Sequence, residues 1–402
     1  MHGDLLDVIL AVLAVLAAVA GYRSGLIAAV TAFIGFLAGI AVGLRLAPRM
    51  AALVFTAPTD VLAVDRSVAQ RAVTVVLVLV FAAVGHALGR AAGARLRAKV
   101  DHTRFTVADG IGGAVISAAS MLTLAWLVGI ALAYAPAPAV ARQIHRSVVL
   151  QTIDEAVPSS GERVASSLLR EMQRHDLPAV TGPFATLLAP SVPDPDPDAV
   201  PAAVSAAGGS VLKIVGTAPS CSRRIEGSGF VYATDLIVTN AHVVAGVIRP
   251  EVRLADRALS AQVVLYDPDR DVAVLRAPGL DRAPLAMAGQ TGTGADAVIA
   301  GYPQDGPFTA VPARIAARTD VSGPNIYHTR TVTRQVYTVR GQVLPGNSGG
   351  PLLDAEGKVY GMVFAASVDQ SEVGYALTAA EIATDLAAGR SATAPVGTGG
   401  CD

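Results

Sequence analysis

The chain contains little cysteine, little lysine and little charge. Two of its 402 residues are cysteine, and 16 % are charged. Lysine occupies positions 99, 213 and 358 alone, so the 31 basic residues include 28 arginines. No Cys/His cluster has the spacing of metal ligands, and no glycine loop of the Walker or Rossmann type occurs. The sequence therefore predicts neither a metal nor another cofactor.

Net charge and hydropathy limit the class of protein. A net charge of −1 leaves no basic footprint for nucleic acid, so no nucleic-acid partner is expected. Hydrophobic residues make up 52 % of the chain, which is too apolar for an ordinary soluble protein, and the excess lies in the first third. The length leaves room for two or three domains. We expect a membrane part followed by a soluble part.

Four apolar stretches are long enough, or nearly so, to cross a bilayer. They comprise residues 5–22, 26–44, 72–88 and 111–134. A cleaved signal peptide does not explain the first stretch, because its start carries Asp4 and Asp7 and neither Lys nor Arg. Gly35, Gly39 and Gly43 in the second would let a neighbouring helix approach closely, although apolar helices also tolerate glycine without that purpose.

The basic residues between these stretches predict an orientation. The connection between the third and fourth holds the densest basic cluster, which comprises Arg90, Arg95, Arg97, Lys99 and Arg104. The positive-inside rule makes this loop cytoplasmic, so the chain after Tyr134 emerges outside the cell membrane. The bias is incomplete, because four arginines flank the loop assigned to the other side: Arg45, Arg49, Arg66 and Arg71.

The two cysteines agree with that orientation. Cys221 and Cys401 both lie in the second half of the chain. Exported proteins keep disulfides whereas cytoplasmic thiols stay reduced, so an outside location favours a disulfide between the two. Two isolated cysteines that stay unpaired are the alternative.

The region from 136 to 206 differs from both of its neighbours. Apolar residues at helical spacing, among them Ile144, Val148, Val149, Ile153, Val164, Leu168 and Met172, predict short amphipathic helices. Pro178, Pro183 and Pro190 interrupt the region, and alternating Pro and Asp at 193–198 indicate an extended acidic spacer, unless the segment is disordered filler. From Val211 onward, short Val-, Ile- and Thr-rich runs between Gly, Pro and Asp are typical of an all-β barrel or sandwich.

Three polar segments of this β region follow one another in a particular order. Thr239-Asn240-Ala241-His242 comes first, an acidic turn at 267–271 leads into an apolar strand, and Gly346-Asn347-Ser348-Gly349-Gly350 comes last. A serine between glycines fits a tight turn with an exposed hydroxyl. A serine hydroxyl needs a neighbouring imidazole to take its proton, and the imidazole needs a carboxylate to fix its tautomer. The order His, Asp, Ser is that of the chymotrypsin-type triad.

We assign His242 as base, Asp271 as orienting acid and Ser348 as nucleophile. The N–H groups of Gly346 and Ser348 are the expected oxyanion donors. Each residue alone has a plainer interpretation, since His242 could be a strand-end histidine. Asp267 and Asp269 compete with Asp271, which we prefer because it adjoins the strand directly.

These three motifs resemble the trypsin-like serine proteases of the bacterial HtrA/Deg kind, over about residues 207–390. The whole architecture, with a multi-helix membrane domain in front and no PDZ domain behind, resembles the MarP-like membrane-anchored acid-resistance proteases. The membrane part of that family belongs to the CvpA (colicin V production) class. The resemblance implies two six-stranded barrels, at about 207–290 and 294–382, with the triad in the cleft between them.

The same resemblance implies a specificity pocket. Gln342 would form its base, with Val343 beside it and Gly374 on the opposite wall. No carboxylate is present there to pair with Lys or Arg, so we expect a preference for uncharged, apolar residues.

The sequence thus predicts an N-terminal α-helical transmembrane bundle at 1–135, a linker at 136–206, and an all-β chymotrypsin-like double β-barrel at 207–402. The expected function is a multi-pass, extracytoplasmic (periplasmic) serine endopeptidase of protein or peptide substrates in the cell envelope, with a role in acid or oxidative stress. A transporter or channel-like membrane module regulated by the protease is the alternative. Transport sites carry ionisable residues within the membrane. Only His86, Asp7 and Asp109 are available for such a site, so membrane anchoring is favoured over transport. A protease-fold sensor that binds peptides without cleaving them is a third hypothesis.

Overall fold

The structure is a computed structural model of the 402-residue chain. It describes residues 5–54, 66–98, 106–133, 138–157, 191–196, 200–221, 223–254, 256–367, 370 and 372–401. The chain divides into two compact units, one of residues 1–135 with 139–172 and one of residues 136–138 with 173–402. We call them the helical unit and, after the role expected from its sequence motifs, the catalytic unit.

The helical unit consists of α-helices in its described residues. They are α1 (Leu5–Ser24), α2 (Leu26–Val54), α3 (Arg66–Arg97), α4 (Thr106–Ala133), α5 (Pro138–Arg146) and α6 (Val148–Ala156). Four stretches are long and apolar enough to span a membrane: Leu5–Ser24, Leu26–Ala47, Val76–Arg97 and Val107–Ile130. This confirms the four predicted stretches, with the third lying further along the chain because α3 continues through its arginine-rich end.

Glycines bring α2 and α3 into backbone contact. A Cβ atom on Gly35 would lie 2.2 Å from the carbonyl oxygen of Gly85, and one on Gly85 would lie 2.2 Å from that of Gly35. A Cβ on Gly39 would lie 2.2 Å from the carbonyl oxygen of Phe81. The glycines of α2 therefore serve close helix approach, which decides between the two interpretations of their spacing.

Two carboxylates of the helical unit bind helix ends. Asp7 accepts hydrogen bonds from Ser147 Oγ at 2.5 Å and from the backbone N of Val148 at 3.1 Å, at the start of α6. Asp109 accepts one from the backbone N of Leu26 at 2.9 Å and pairs with Arg97 Nη2 at 2.9 Å. Carboxylates at helix N-termini are favoured by the free N–H groups and the helix dipole. Both groups thus have structural partners.

The predicted linker is described only in part. Helices α5 and α6 occupy its first section and belong to the helical unit, and Ile144 and Leu150 on them are buried. The predicted helical residues Val164, Leu168, Leu169 and Met172, and the prolines at 178, 183 and 190, lie outside the described residues. Asp194 of the predicted spacer forms an ion pair with Arg340, so this part of the acidic segment contacts the catalytic unit's β-structure. The division at 136 and 206 stays a prediction.

The catalytic unit begins with a short helix and a curled sheet. Helix α7 (Ala202–Ala207) precedes β1 (Val211–Ala218), β2 (Arg223–Ala233), β3 (Leu236–Thr239), β4 (Glu251–Arg253), β5 (Ala258–Ser260), β6 (Gln262–Asp267) and β7 (Val272–Arg276). Their order in the antiparallel sheet is β5-β4-β1-β2-β3-β7-β6. Only Ala261 separates β5 from β6, so one bent run of chain supplies both edges and the sheet curls into a barrel. The resemblance implied six strands. Seven are found because the bent run is divided into two strands, β5 and β6.

The second half of the unit is a closed six-stranded barrel. Its strands are β8 (Asp296–Gly301), β9 (Thr309–Pro324), β10 (Thr331–Arg340), β11 (Pro351–Leu353), β12 (Val359–Ala366) and β13 (Val373–Thr378), in the order β10-β13-β12-β11-β8-β9. One core cluster contains buried side chains of both sheets, including Phe230, Tyr232, Met362 and Phe364. The two sheets therefore share apolar packing, which fixes the loops between them.

Helix α8 (Ala379–Ser391) and a C-terminal tail complete the unit. Thr378 Oγ1 accepts a hydrogen bond from the backbone N of Glu381 at 3.1 Å and so caps the start of α8. The tail then pairs with the first sheet, since the backbone N of Val396 donates to Val263 at 2.8 Å and that of Gly246 donates to Thr398 at 3.1 Å.

Candidate active site

His242 lies just beyond the end of β3. The strand ends at Thr239, and a short 3-10 turn at His242–Val244 follows. Only 6 % of His242 is exposed, and the neighbouring Ala241 is fully buried. The sequence Thr-Asn-Ala-His thus places an imidazole at a strand end, in a largely dehydrated position.

Asp271 sits at the start of β7 in a left-handed backbone conformation. Its φ is 64°, which aspartate tolerates better than most residues. The carboxylate is fully buried and accepts hydrogen bonds from His242 Nδ1 at 2.8 Å and from the backbone N of His242 at 3.0 Å. Asn240 Nδ2 donates to the carbonyl oxygen of Asp271 at 2.9 Å. This geometry leaves Nε2 of His242 as the imidazole nitrogen on the far side from the carboxylate.

The competing carboxylates have other partners. Asp267 Oδ1 accepts hydrogen bonds from the backbone N atoms of Asp269 and Arg270, at 2.9 and 3.0 Å, and so closes the turn. Asp269 accepts one from Asn325 Nδ2 at 2.9 Å and pairs with Arg330 Nη1 at 3.0 Å. Among these three carboxylates, the structure brings Asp271 to His242.

Ser348 lies on a tight turn built by glycine. Gly346 and Gly349 have φ angles of 95° and 82°. A Cβ atom on Gly346 would lie 2.3 Å from the carbonyl oxygen of Tyr302, and one on Gly349 would lie 2.1 Å from that of Ser228, so no other residue fits. Ser348 is 2 % exposed, and its Oγ has no hydrogen-bond partner within the described part of the chain. A buried hydroxyl in that state is available for chemistry.

The backbone of this turn leaves two N–H groups for a ligand. The other backbone N–H groups donate to carbonyl oxygens at 2.8 to 3.0 Å: Asn347 N to Leu344, Gly349 N to Val363 and Gly350 N to Asn347. Gly346 N and Ser348 N are absent from the backbone pairs formed between described residues of this turn and its neighbours. These are the two donors predicted for an oxyanion, and that role stays a prediction.

Comparison with known proteins gives the family. A model of the trypsin-like peptidase domain matches residues 227–362, and one of the colicin V production protein matches residues 6–158. The serine protease Rv3671c of Mycobacterium tuberculosis (strain H37Rv) is 39 % identical over 400 residues, which cover 98 % of both chains. This chain belongs to the Rv3671c family of serine proteases. It is therefore a serine endopeptidase of the HtrA/trypsin-like type, as the sequence motifs predicted.

A solved structure of the same relative and one further relative agree with this assignment. The crystal structure of the Rv3671c protease in its active form has a TM-score of 0.53 and 48 % identity, and the match covers 56 % of this chain and 99 % of that one. The putative serine protease HhoA of Synechocystis sp. is 33 % identical over 194 residues, which cover 44 % of this chain and 47 % of HhoA. The colicin V match reaches residue 158, so it includes α5 and α6, beyond the boundary predicted at 135.

Ser228 on β2 is a residue of this protease that the motif search missed. It is fully buried, its Oγ donates to the carbonyl oxygen of Gly346 at 2.6 Å, and the same Oγ accepts from Tyr302 N at 2.9 Å. Its backbone N donates to the carbonyl oxygen of Ser348 at 2.8 Å. One serine of the first sheet thus holds the turn that carries Ser348 at two points, Gly346 and Ser348. A serine between Gly227 and Gly229, within an otherwise apolar strand, was the available signal.

The predicted specificity residues of the protease do not share one environment. Gln342 is exposed, whereas Val343 is 5 % exposed and packs in the core of the second barrel with Tyr337. A Cβ atom on Gly374 would lie 2.3 Å from Val343 Cγ2. Val343 and Gly374 are therefore in direct contact, and their role in binding substrate stays a prediction.

Cys401 lies against the first sheet. It is partly buried beside the core cluster of that sheet, and its Sγ is 3.3 Å from the Oγ of Ser220, the residue before Cys221. Tyr327 Oη donates to the carbonyl oxygen of Gly400 at 3.1 Å and fixes the tail next to it. The pairing of Cys401 with Cys221 stays a prediction.

Proposed function

We propose that His242, Asp271 and Ser348 form the catalytic triad of this serine endopeptidase. The observation that carries the proposal is the buried carboxylate of Asp271 on Nδ1 of His242 at 2.8 Å. A carboxylate there fixes the tautomer with an unprotonated Nε2 and stabilises the imidazolium that forms during reaction. Ser348 supplies a buried hydroxyl on a turn that Ser228 ties to the sheet bearing His242.

The reaction follows from these positions. Ser348 Oγ attacks the carbonyl carbon of the scissile peptide bond while His242 Nε2 takes its proton. The N–H groups of Gly346 and Ser348 receive the oxyanion of the tetrahedral intermediate, and loss of one such donor costs roughly 3 kcal/mol of transition-state stabilisation. The imidazolium returns its proton to the leaving amine, and water then hydrolyses the acyl-enzyme with His242 as base again.

We propose further that the helical unit anchors the enzyme in the cell membrane, with the catalytic unit on the extracytoplasmic side. Four helices long and apolar enough to span a bilayer support the anchor, and Arg90, Arg95 and Arg97 support a cytoplasmic position for the end of α3. The substrates would then be proteins of the cell envelope. Intact spheroplasts treated with an external protease should lose the catalytic unit, and protection of that unit until lysis would contradict the orientation.

Resemblance to the acid-resistance proteases supports a role in survival of acid or oxidative stress. A strain that lacks the gene should grow poorly after acid exposure, and the wild-type gene should restore growth. Restoration by a Ser348→Ala gene would separate the stress role from peptidase activity and refute this part of the proposal.

We propose that the specificity pocket accepts uncharged, apolar residues. Val343 and Gly374 at its walls are apolar, and neither they nor Gln342 carry a charge to pair with Lys or Arg. A peptide library would test this, and strong selection for Arg at the cleaved position would refute it.

Labelling with a fluorophosphonate probe tests the triad itself. The full-length chain in detergent should be labelled, and Ser348→Ala should abolish the labelling. Ser322→Ala is the control, because Ser322 is an exposed serine of β9 and should not affect labelling. Equal labelling of wild type and Ser348→Ala would assign the nucleophile elsewhere.

A further inference from the structure

A buried arginine stands behind the catalytic acid. Arg334 on β10 is 4 % exposed, which is unusual for a guanidinium because its charge loses hydration. Its Nε donates to the carbonyl oxygen of Asp269 at 2.9 Å, and Nη2 donates to the carbonyl oxygen of Pro324. The guanidinium carbon lies 5.9 Å from the ring centroid of Phe364. The group is therefore held by both a planar fork of hydrogen bonds and an aromatic face.

The loop that Arg334 binds carries Asp271. This acid loop, residues 267–271, joins β6 to β7 of the first sheet, whereas Arg334 belongs to the second barrel. The hairpin between β9 and β10 binds the same loop, since Ile326 N donates to the carbonyl oxygen of Pro268 at 3.3 Å. A left-handed conformation at Asp271 costs free energy and persists only where surrounding contacts enforce it. Asn240 and His242 of the first sheet hold Asp271 itself, and the second barrel adds contacts to the preceding Pro268 and Asp269.

The charge of Arg334 acts on the same loop. Burial lowers the pKa of Arg334, and four carboxylates act against that shift, in the order Asp271, Glu381, Asp269 and Asp267. A guanidinium stays protonated in such a site. Two other arginines form ion pairs with these carboxylates. The Arg270 side chain is 39 % exposed and the Arg330 side chain 68 % exposed, so solvent screens their charges. Arg334 is the buried positive charge among them.

We propose that Arg334 is a positioning residue for the catalytic acid: its fork fixes the acid loop from the second barrel, and its charge balances that of Asp271. This inference rests on the proposed triad. Without the fork, the Asp271 carboxylate loses its fixed place on Nδ1 of His242. Without the charge, no buried cation opposes the formation of a positive charge on His242. Arg334 therefore keeps His242 in its neutral form, in which it can act as a base, down to a lower pH.

Two substitutions separate the fork from the charge. Arg334→Gln removes both the charge and the guanidinium fork, so kcat should fall at least about tenfold with KM unchanged within twofold. The acid limb of its kcat/KM profile should also move to higher pH by about half a unit or more. Arg334→Lys keeps the charge and loses the fork, so kcat should fall by about tenfold while the acid limb stays in place. Arg330→Gln, which removes an exposed partner of Asp269, should match wild type in both measurements.

The assays use the full-length chain in detergent, with folding checked by circular dichroism and with Ser348→Ala as the inactive reference. Wild-type kcat in a folded Gln or Lys variant would overturn the proposal. So would a fall in kcat of the folded Gln variant without movement of the acid limb, because that result indicates a purely structural arginine. If Arg334→Gln does not fold, the kcat of the Lys variant decides. If Ser348→Ala abolishes the activity of the wild type, the proposed triad is supported whatever the Arg334 variants show.

Discussion

The helical unit and the catalytic unit use apolar residues in opposite ways. Of the large hydrophobic side chains exposed in the described residues, all lie in the helical unit except Ile248, Met287 and Val396. Leu5 and Leu88 of the helical unit are 71 % and 66 % exposed. The catalytic unit instead buries its apolar residues in two barrels. In a bilayer, apolar burial gives no drive for helix association, so close packing at small residues must supply it, as Gly35, Gly39 and Gly85 do.

The two units also place buried polar groups differently. In the catalytic unit, Ser228, Thr239, Asn240 and Asp271 are fully buried and surround the predicted nucleophile turn and base. In the helical unit, the buried Asp7 binds the end of a helix. Buried polar groups are retained where each hydrogen bond fixes a geometry that function needs, or where a helix end requires a partner. The difference predicts which substitutions abolish chemistry and which only loosen a fold.

Loss of the orienting carboxylate should give the largest effect. Asp271→Asn should lower kcat/KM by about 10⁴, because the amide no longer fixes the tautomer of His242. Asp269→Asn is the matched control and should stay within about tenfold of wild type, since Asp269 binds Asn325 and Arg330 instead. Kinetics on a peptide substrate measure both. If Asp269→Asn were crippling and Asp271→Asn neutral, the assigned acid would be wrong.

Loss of the proposed disulfide should destabilise the catalytic unit and leave its chemistry in place. A bond between Cys221 and Cys401 would close a loop of roughly 180 residues. The lost chain entropy would raise the free energy of the unfolded state by on the order of 5 kcal/mol, as an upper estimate. Cys221→Ser should therefore lower the melting temperature and reduce activity on heating. Cys401→Ser should do so equally, and the double variant should show no further loss. Mass spectrometry of the exported protein that finds two alkylatable thiols would contradict the bond.

A branched side chain between α2 and α3 should separate the two helices. Gly39→Val places its Cβ 2.2 Å from the carbonyl oxygen of Phe81, so the helical unit should lose roughly 2 kcal/mol or more of stability. Thermal melting in detergent, followed by helical circular dichroism, measures the change. Ala38→Val is the control, because Ala38 is exposed on the same helix and gains a similar volume. Equal melting of the two variants would show that glycine contact does not hold these helices together.

A carboxyl pair in the catalytic unit should give the smallest effect, and one that depends on pH. Burial, then a hydrogen bond and repulsion from Asp305, raise the pKa of Glu226 above its ordinary value of 4.5. The hydrogen bond with Lys213 chiefly lowers the pKa of Asp305, so Glu226 is the carboxyl of the pair that takes up a proton first as pH falls. The protonated carboxyl contributes stability that is complete below the unfolded pKa and is lost as pH rises through the folded pKa.

Glu226→Gln keeps that hydrogen-bond donor at every pH. At pH 7 the variant should melt about 1–3 °C higher than wild type, and the difference should vanish below about pH 4, where Glu226 is protonated in both states. Glu251→Gln is the control, since Glu251 is 47 % exposed and pairs with Arg253 at the surface. A lower melting temperature for Glu226→Gln than for wild type at pH 7 would be opposite to the expected change and would refute this account of the carboxyl pair.

The sequence predicted the elements that follow from composition and short motifs. Four apolar stretches of bilayer length identify the membrane-spanning candidates, because hydropathy over about 20 residues depends little on tertiary contacts. The glycines around Ser348 predicted a tight turn, since their backbone conformations exclude other residues.

Other features depended on contacts between residues far apart in the chain, which no short motif records. The choice between Asp269 and Asp271 is made by which carboxylate the turn at 267–271 directs to His242 and which to Asn325. The contacts of Ser228 and Arg334 arise only when the two barrels pack together, because each binds a loop of the other barrel. The sequence by itself determined the membrane-spanning candidates, the β-rich second half and the three motifs with their reactive groups. The tertiary structure decided the partner of each group, because burial and hydrogen bonding between distant segments set those pairs.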